Sequence, residues 1–150
     1  MNAVGPKLVI ATHNPGKLAE MRELLQTGFT TRVRYDQATQ TYYMRGSGSN
    51  IWFNRDELQY LFKKIGGNFL LTADFEFVEG QGNGHRKIGW MIRESTDEGA
   101  ASVNAVVHGD GLTVLQWRPL RGAFMRDPED EIFYAKKTLF RTIQLERTGK

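Results

Sequence analysis

The polar residues nearest the start of the chain have the types and spacing of a phosphate-binding turn. Thr12, Asn14 and Lys17 follow Leu8–Ala11, an apolar run that suits a strand buried in a parallel sheet, and they precede an amphipathic helix. Asn14 and Pro15 favour a helix start, because Asn accepts from free backbone N–H groups and Pro is tolerated at the first helical position. Those N–H groups and the helix dipole attract anions, so the spacing predicts a phosphate site. The alternative is a strand and helix appended to another fold.

A second set of polar residues alternates along three predicted strands further along the chain. Alternate side chains of a strand point to the same face of its sheet. Planar donors and acceptors on such a face, with Trp52, Trp90 or Trp117 as a stacking platform, suit the hydroxyls and rings of sugars. We therefore predict a carbohydrate-binding face, the alternative being a solvated outer face with cross-strand polar pairs. The predicted face carries Arg93, Asn104, His108, Gln116 and Arg118.

Other catalytic or metal sites find less support in the sequence. The acidic run Asp127–Glu131 offers oxygens for Ca²⁺, although it lacks the spacing of an established calcium loop and such runs are more often solvated surface. Three histidines without a spaced pair argue against zinc, and there is no cysteine. Asp74 and Glu76 alternate on one strand, which indicates its exposed face rather than a pair of glycosidase carboxylates.

The elements that position these residues are mostly β-strands. Phe69–Val78 is the clearest, because Phe69, Leu71, Ala73, Phe75 and Phe77 face one way and polar residues face the other. No long helical pattern interrupts the strands, so the sequence predicts an antiparallel β-sandwich or jelly roll. The other predicted strands are Arg32–Tyr35, Thr41–Arg45, Leu58–Lys64, Lys87–Glu94, Ser102–His108, Leu112–Arg118 and Leu139–Glu146.

Composition limits the classes of partner. The 150 residues suit one domain, and the net charge of +3 comes from Lys and Arg scattered among acids, which argues against a nucleic-acid partner. No apolar run is long enough to cross a membrane, and Leu8–Ala11 is too short for the core of a signal peptide. We therefore expect no membrane partner and, for the chain as written, a cytoplasmic location.

The N-terminal motif resembles the start of a known enzyme family. It consists of Ala11-Thr12-His13-Asn14-Pro15-Gly16-Lys17 and the predicted helix through Leu25. Residues 7–25 are similar to the start of the non-canonical purine nucleoside triphosphate pyrophosphatases, the inosine triphosphate pyrophosphatase family. The resemblance implies that Thr12, Asn14 and Lys17 hold a triphosphate and that Mg²⁺ assists its cleavage to a monophosphate and pyrophosphate. The acidic metal loop, base-recognition segment and late Ser-His-Arg of that family are missing after Gln26.

Motifs in the remaining part resemble a second family and occur in its order: Gly46–Trp52, His85–Ser95, Val107–Thr113 and Leu115–Arg118. Residues 29–150 are similar to the concanavalin A-like β-sandwich of unassigned activity that accompanies TolB-type propellers in bacterial, often exported, proteins. The resemblance implies a lectin- or glucanase-like jelly roll without an established catalytic role. Its partner would be a carbohydrate or the propeller domain of a larger protein.

The two resemblances divide the chain into residues 1–28, a strand–loop–helix segment, and residues 29–150, a β-sandwich domain. The second family's module continues past the last residue, Lys150, so the sequence suggests a chimeric or truncated chain. We expect a non-catalytic carbohydrate-binding module, with Trp52 beside the polar sandwich face and without a cofactor. The alternative function is a Mg²⁺-dependent pyrophosphatase acting on non-canonical purine nucleoside triphosphates.

Overall fold

The structure, a computed structural model, describes residues 7–9, 33–46, 48, 50–78, 82–126, 133–135 and 140–149. Within these residues the chain forms nine β-strands and no helix, so it is mainly β, as the alternation of polar and apolar residues predicts. The strands are β1 (Lys7–Val9), β2 (Val33–Asp36), β3 (Thr41–Met44), β4 (Phe69–Glu76), β5 (Lys87–Arg93), β6 (Ser102–His108), β7 (Thr113–Arg118), β8 (Phe133–Ala135) and β9 (Thr142–Arg147).

Five strands form the first sheet, in the order β2-β3-β1-β4-β9, and all pairs are antiparallel. β1 lies between β3 and β4, where Leu8 is opposite Tyr42 on one side and Phe75 on the other. The prediction of a strand near Leu8 is confirmed, but its placement in a parallel sheet is wrong. A short apolar run fits any strand with two neighbours, so it does not reveal their direction. The predicted helix after Asn14 lies outside the described residues.

The second sheet has the order β5-β6-β7-β8, again with antiparallel pairs. β6 and β7 are joined by a tight turn at residues 109–111. His108 and Leu112 close it through a backbone hydrogen bond of 2.7 Å, and Asp110 accepts from the Leu112 N–H at 3.1 Å. Gly111 has φ of +91°, which a residue without a Cβ adopts at little cost.

The hydrophobic core cluster combines residues of both sheets. The alternation predicted for Phe69–Phe77 is confirmed, since Ala73 and Phe75 are buried while Thr72, Asp74 and Glu76 are exposed. Complete burial of a side chain such as Phe75 contributes about 1.5–3 kcal/mol to folding. The buried members of the core cluster are Tyr42, Ala73, Phe75, Val107 and Ile143.

Trp90 of β5 joins the two sheets. Its ring meets the Phe75 ring edge-on, with the centroids 5.5 Å apart, and its indole N–H donates to the Ile143 carbonyl at 3.0 Å. The polar atom of a large side chain is thereby satisfied inside the core. Trp90 therefore fixes the position of the second sheet against β4 and β9.

One predicted strand, Leu58–Lys64, is wrong. Residues 56–66 have no strand structure and do not pair with any described strand. Leu58 and Ile65 are exposed, so the alternating apolar residues do not all face a core. The segment lies instead beside β5, where the Tyr60 hydroxyl donates to the Met91 carbonyl at 3.1 Å. In the described part of the chain no helix has the length and apolar character needed to span a membrane.

Candidate functional site

The polar residues predicted to share one sheet face do share it. Asn104 of β6 lies directly opposite Gln116 of β7, and Ser102 lies between Arg93 and Arg118. His108 has the same alternation phase as Asn104, so it lies further along that face. This is the face of the second sheet turned away from the core cluster.

This polar face is buried rather than open to solvent. The exposed fractions are 0% for Asn104, 3% for His108, 2% for Gln116 and 1% for Arg118. Two stretches of chain lie over it, residues 50–57 and residues 123–126, which together we call the cover. The Asn104 amide contacts the Met125 sulfur at 3.6 Å, and this contact shows how closely the cover approaches the sheet.

Asp56 of the cover is the centre of a buried charge cluster. Its carboxylate accepts from the guanidinium of Arg118 at 2.6 and 2.7 Å and from that of Arg93 at 2.9 Å. Their three side chains are at most 4% exposed. The attraction and the hydrogen bonds between the carboxylate and the two guanidinium groups offset the water that burial removes. The cluster fastens residues 50–57 to β5 and β7.

Arg118 uses its whole hydrogen-bonding capacity in this cluster. Besides Asp56, it donates to the carbonyls of Phe53 at 2.9 Å, Ala100 at 3.1 Å and Ala123 at 2.9 Å. An arginine has five N–H donors, and all five are accounted for. Arg118 therefore holds both stretches of the cover and has no N–H group to offer to a ligand in this conformation.

Arg93 is also committed to the protein. Its remaining bonds go to the carbonyl oxygens of Ser95 and Asp97 and to the Met91 sulfur, and its guanidinium lies 5.9 Å from the centre of the Tyr60 ring. Trp52, predicted as the stacking platform, belongs to the cover, where its carbonyl accepts from the Met125 N–H at 3.1 Å. Its side chain is half-buried. The structure thus brings the predicted face together but closes it with the segment that carries Trp52.

Several buried polar atoms on this face have no hydrogen-bond partner among the described residues. They are the side-chain oxygens of Ser102, Asn104 and Gln116 and both ring nitrogens of His108. Such groups cost free energy unless water or another group satisfies them. The face therefore retains hydrogen-bonding capacity beneath the cover.

His108 lies at one end of the face in a mixed electrostatic environment. Burial lowers the pKa of His108 to about 4; the nearby Lys87 and His85 act in the same direction and Asp110 opposes them. The His85 and His108 rings meet edge-on with centroids 6.1 Å apart. Lys87 donates to Asn50 at 2.9 Å, and burial lowers its pKa as well. His108 is therefore neutral at pH 7.

An open cleft of about 1740 Å³ borders this region. It runs along the outer edge of β5, with β4 on one side and the non-strand segment 57–65 on the other. Tyr60 and Phe62 are stacked, with ring centroids 5.5 Å apart and planes within 12°. The aromatic lining residues are Tyr60, Phe62, Phe69, Phe75, Phe77, Trp90 and Trp117.

Polar side chains from loops complete the cleft. Asn50, Gln59 and Asn83 supply amides, and His85 supplies an imidazole. Of the residues predicted for the sandwich face, Arg93 and Arg118 also line the cleft, whereas Asn104, His108 and Gln116 do not. The cleft, rather than the covered polar face, is the opening in which the described residues offer aromatic and polar groups to a ligand.

Sequence reasoning missed three residues of this region. Asp56 belongs to a polar stretch without strand or helix pattern, and Tyr60 and Phe62 were assigned to a strand. One signal for a residue such as Asp56 exists in the sequence. Two arginines share a strand face with apolar residues, and if that face is covered, their charges require a buried acid. Nothing in the local pattern shows that the face is covered.

The remaining predicted sites lie outside the described residues. These are the phosphate-binding residues Thr12, Asn14 and Lys17 and the acidic run Asp127–Glu131. In the residues that the structure does describe, no cluster of three or more His, Asp or Glu is placed to hold a metal ion. Comparison with protein-family models, with curated proteins and with solved structures finds no match to this chain.

Proposed function

We propose that this chain is a non-catalytic carbohydrate-binding module and that the sugar lies in the cleft beside β5. The observation that carries the proposal is the stacked pair Tyr60–Phe62 in an open cleft with an amide-rich rim. The proposal includes an antiparallel β-sandwich of concanavalin A-like type. The resemblance of residues 29–150 to that module supports this part of the proposal. The same resemblance supports a place for the chain beside a propeller domain in a larger protein.

The size and lining of the cleft favour a sugar chain. Aromatic faces bind the apolar faces of pyranose rings, while amide groups bind the hydroxyls at their edges. Tyr60 presents such a ring, and Gln59 and Asn50 lie in the same lining. A volume of about 1740 Å³ exceeds that of most small-ligand pockets and suits an oligosaccharide.

The cleft replaces the polar sandwich face as the proposed site for a physical reason. Arg118 and Arg93 spend their donors on Asp56 and on backbone carbonyls. A sugar on that face would have to displace the cover and leave these charges unpaired, at a cost of several kcal/mol. Binding in the cleft requires no such opening.

We propose binding without hydrolysis because the described lining of the cleft offers one carboxylate outside the described ion pairs, and hydrolysis needs two. Glycoside hydrolysis needs two carboxyl groups across the scissile bond. The described lining has Glu57 and Glu94, and Glu57 is paired with Arg55. Glu94 is the other carboxylate of the described lining, and it belongs to none of the described ion pairs.

Calorimetric titration with a panel of oligosaccharides tests the proposal. Tyr60→Ala removes a ring of the stacked pair and should weaken binding of the best ligand about two- to tenfold, because an aromatic stacking contact contributes about 0.5–1.5 kcal/mol. Phe124→Ala is the matched control, since this exposed aromatic residue lies outside the cleft lining. The control should bind like the original chain. Failure of every oligosaccharide to bind, or equal effects of the two substitutions, would contradict the proposal.

A further inference from the structure

The cleft has an excess of positive charge. Five cationic residues in its lining are Lys63, Lys64, Arg86, Lys87 and Arg147, and Arg93 and Arg118 bring the number in the described lining to seven. The acids in that lining are Glu57 and Glu94. The described lining alone thus carries a formal charge of +5, against +3 for the whole chain, so the rest of the chain is net acidic.

The ion pairs described for the lining do not cancel this excess. Arg93 and Arg118 share one carboxylate, that of Asp56, which leaves one positive charge among the three groups. Glu57 is bound by Arg55 of the cover, so it neutralises less of the cleft. The positive charge of the cleft therefore exceeds what its own acids compensate.

Arg86 points independently to a missing anionic partner. Its guanidinium lies 4.9 Å from the centre of the Phe77 ring and donates to the Asn83 carbonyl at 3.2 Å, but its Nε has no partner among the described residues although it is buried. Guanidinium groups bind carboxylates through two parallel N–H bonds, one of which commonly comes from Nε. Arg86 is thus held in place with an unused donor.

Lys87, next along the chain, adds a second cation at the same end of the cleft. Its ammonium group is half-buried and is held by Asn50 at 2.9 Å and by the His85 carbonyl at 3.2 Å, both uncharged acceptors. Burial disfavours the charged form of Lys87 and lowers its pKa. An anion bound nearby would restore favourable electrostatics.

We propose that the ligands of this cleft are acidic oligosaccharides whose pyranose rings carry carboxylates, as in chains of uronic acid. This inference rests on the proposed function and specifies its ligand class. The rings stack on Tyr60 and Phe62, and the carboxylates pair with Arg86 and Lys87. The cleft also contains Lys64 and Arg147, in addition to Arg86 and Lys87. A ligand with a repeating negative charge suits cations that are spread along a cleft in this way.

The test uses two ligands with the same sugar backbone, a hexamer of galacturonic acid and the same hexamer with its carboxylates methyl-esterified, which removes the negative charges. The free acid should bind about tenfold more tightly at low salt, and its advantage should fall as salt screens the charges. A neutral hexamer of glucose and a single-stranded RNA of similar charge complete the panel. Calorimetry on the full chain gives the affinities.

Two substitutions locate the charge, Lys64→Gln at an exposed position and Arg86→Gln at the unused donor. Each should weaken binding of the free acid about threefold or more and should change binding of the ester less. Arg121→Gln is the control, because it removes the same charge from an exposed arginine outside the cleft lining. Lys64→Gln keeps the test decisive if Arg86→Gln disturbs folding, which circular dichroism would show.

The outcomes separate the two proposals. Equal affinity for acid and ester would leave carbohydrate binding standing and overturn the inference about charge. Binding of no sugar would overturn both. Equal weakening by Arg121→Gln and Lys64→Gln would show an effect of net charge and overturn the assignment to the cleft. Tighter binding of the RNA than of the hexamer would replace the acidic sugar by a nucleic acid.

Discussion

Asp56 has an unusual position for a carboxylate, since it is buried between two arginines and belongs to a segment without regular secondary structure. Removal of its charge leaves Arg93 and Arg118 close together without a counter-ion. Breaking such a buried pair costs about 3–5 kcal/mol, whereas a surface pair contributes little. The cluster is therefore expected to contribute strongly to the attachment of the cover.

We predict that Asp56→Asn lowers the free energy of unfolding by about 3–5 kcal/mol, measured by urea denaturation. Glu57→Gln, next along the chain, breaks the exposed pair with Arg55 and serves as the control. It should change stability little. Similar losses in both variants would show that Asp56 does not have the role inferred from its contacts.

The burial of His108 predicts that the stability of the folded protein depends on pH. Its pKa in the folded protein is about 4, below the ordinary value of 6.5, because burial and Lys87 disfavour the imidazolium. The unfolded chain therefore takes up a proton first as the pH falls, and the folded state loses stability below pH 6.5 until the pH reaches about 4. Other groups near His108 are His85 and Asp110.

The loss should be about 1.5 kcal/mol between pH 6.5 and pH 5, a window above the titration of most carboxylates. His108→Gln should remove this part of the pH dependence in urea denaturation, whereas His85→Gln, at an exposed position, should retain it. A slope that is unchanged in His108→Gln would show that the imidazole titrates normally.

At the level of elements, β5 depends on a glycine. Gly89 has φ of +156°, and a Cβ there would lie 2.1 Å from the Ala105 carbonyl oxygen on β6. Since backbone atoms cannot move aside cheaply, any side chain would push β5 away from β6. The strand that borders the cleft therefore tolerates only the smallest residue at this point.

Gly89→Ala should destabilise the protein by about 2 kcal/mol or more, as seen in its thermal or urea unfolding. Gly66→Ala is the matched control, because a Cβ at Gly66 meets no atom within 4 Å. The control should be neutral or slightly stabilising. A neutral Gly89→Ala would contradict the close approach of β5 and β6.

The strands show what alternation does and does not predict. Ser102–His108 was predicted with the observed bounds, and Phe69–Val78 was two residues too long, because a core on one face imposes a period of two. Leu58–Lys64 alternates in the same way, yet it has no strand partner among the described residues. Pairing depends on residues distant in sequence, which a local pattern does not specify.

The sequence predicts which residues of the candidate site share a sheet face, but not which segment covers that face. The common face of Asn104, Gln116 and Arg118 follows from their spacing, and the structure confirms that they share it. Whether that face is open depends on residues 50–57, which lie more than forty positions earlier than Asn104 and are tied there by Asp56. The cleft at Tyr60 likewise depends on how a segment without strand pairing lies against β5.

At the scale of the whole molecule, the two faces of the second sheet have different roles in this account. One face meets the first sheet at Phe75 and Trp90, and the other is sealed by the cover through Asp56. The open space is left along the edge of β5, where the described lining has more cations than acids. Ligand binding is thus assigned to a sheet edge and not to a sheet face.

The most direct test is a nitrogen–proton NMR spectrum of the three tryptophan indoles, titrated with the galacturonic acid hexamer. Trp90 and Trp117 line the cleft, whereas Trp52 belongs to the cover. Single Trp→Phe variants assign the signals. Cleft binding predicts that the Trp90 indole signal shifts in a saturable way and that the Trp52 signal stays in place. A shift confined to Trp52, or no shift at saturating ligand, would contradict the assignment of the site to the cleft.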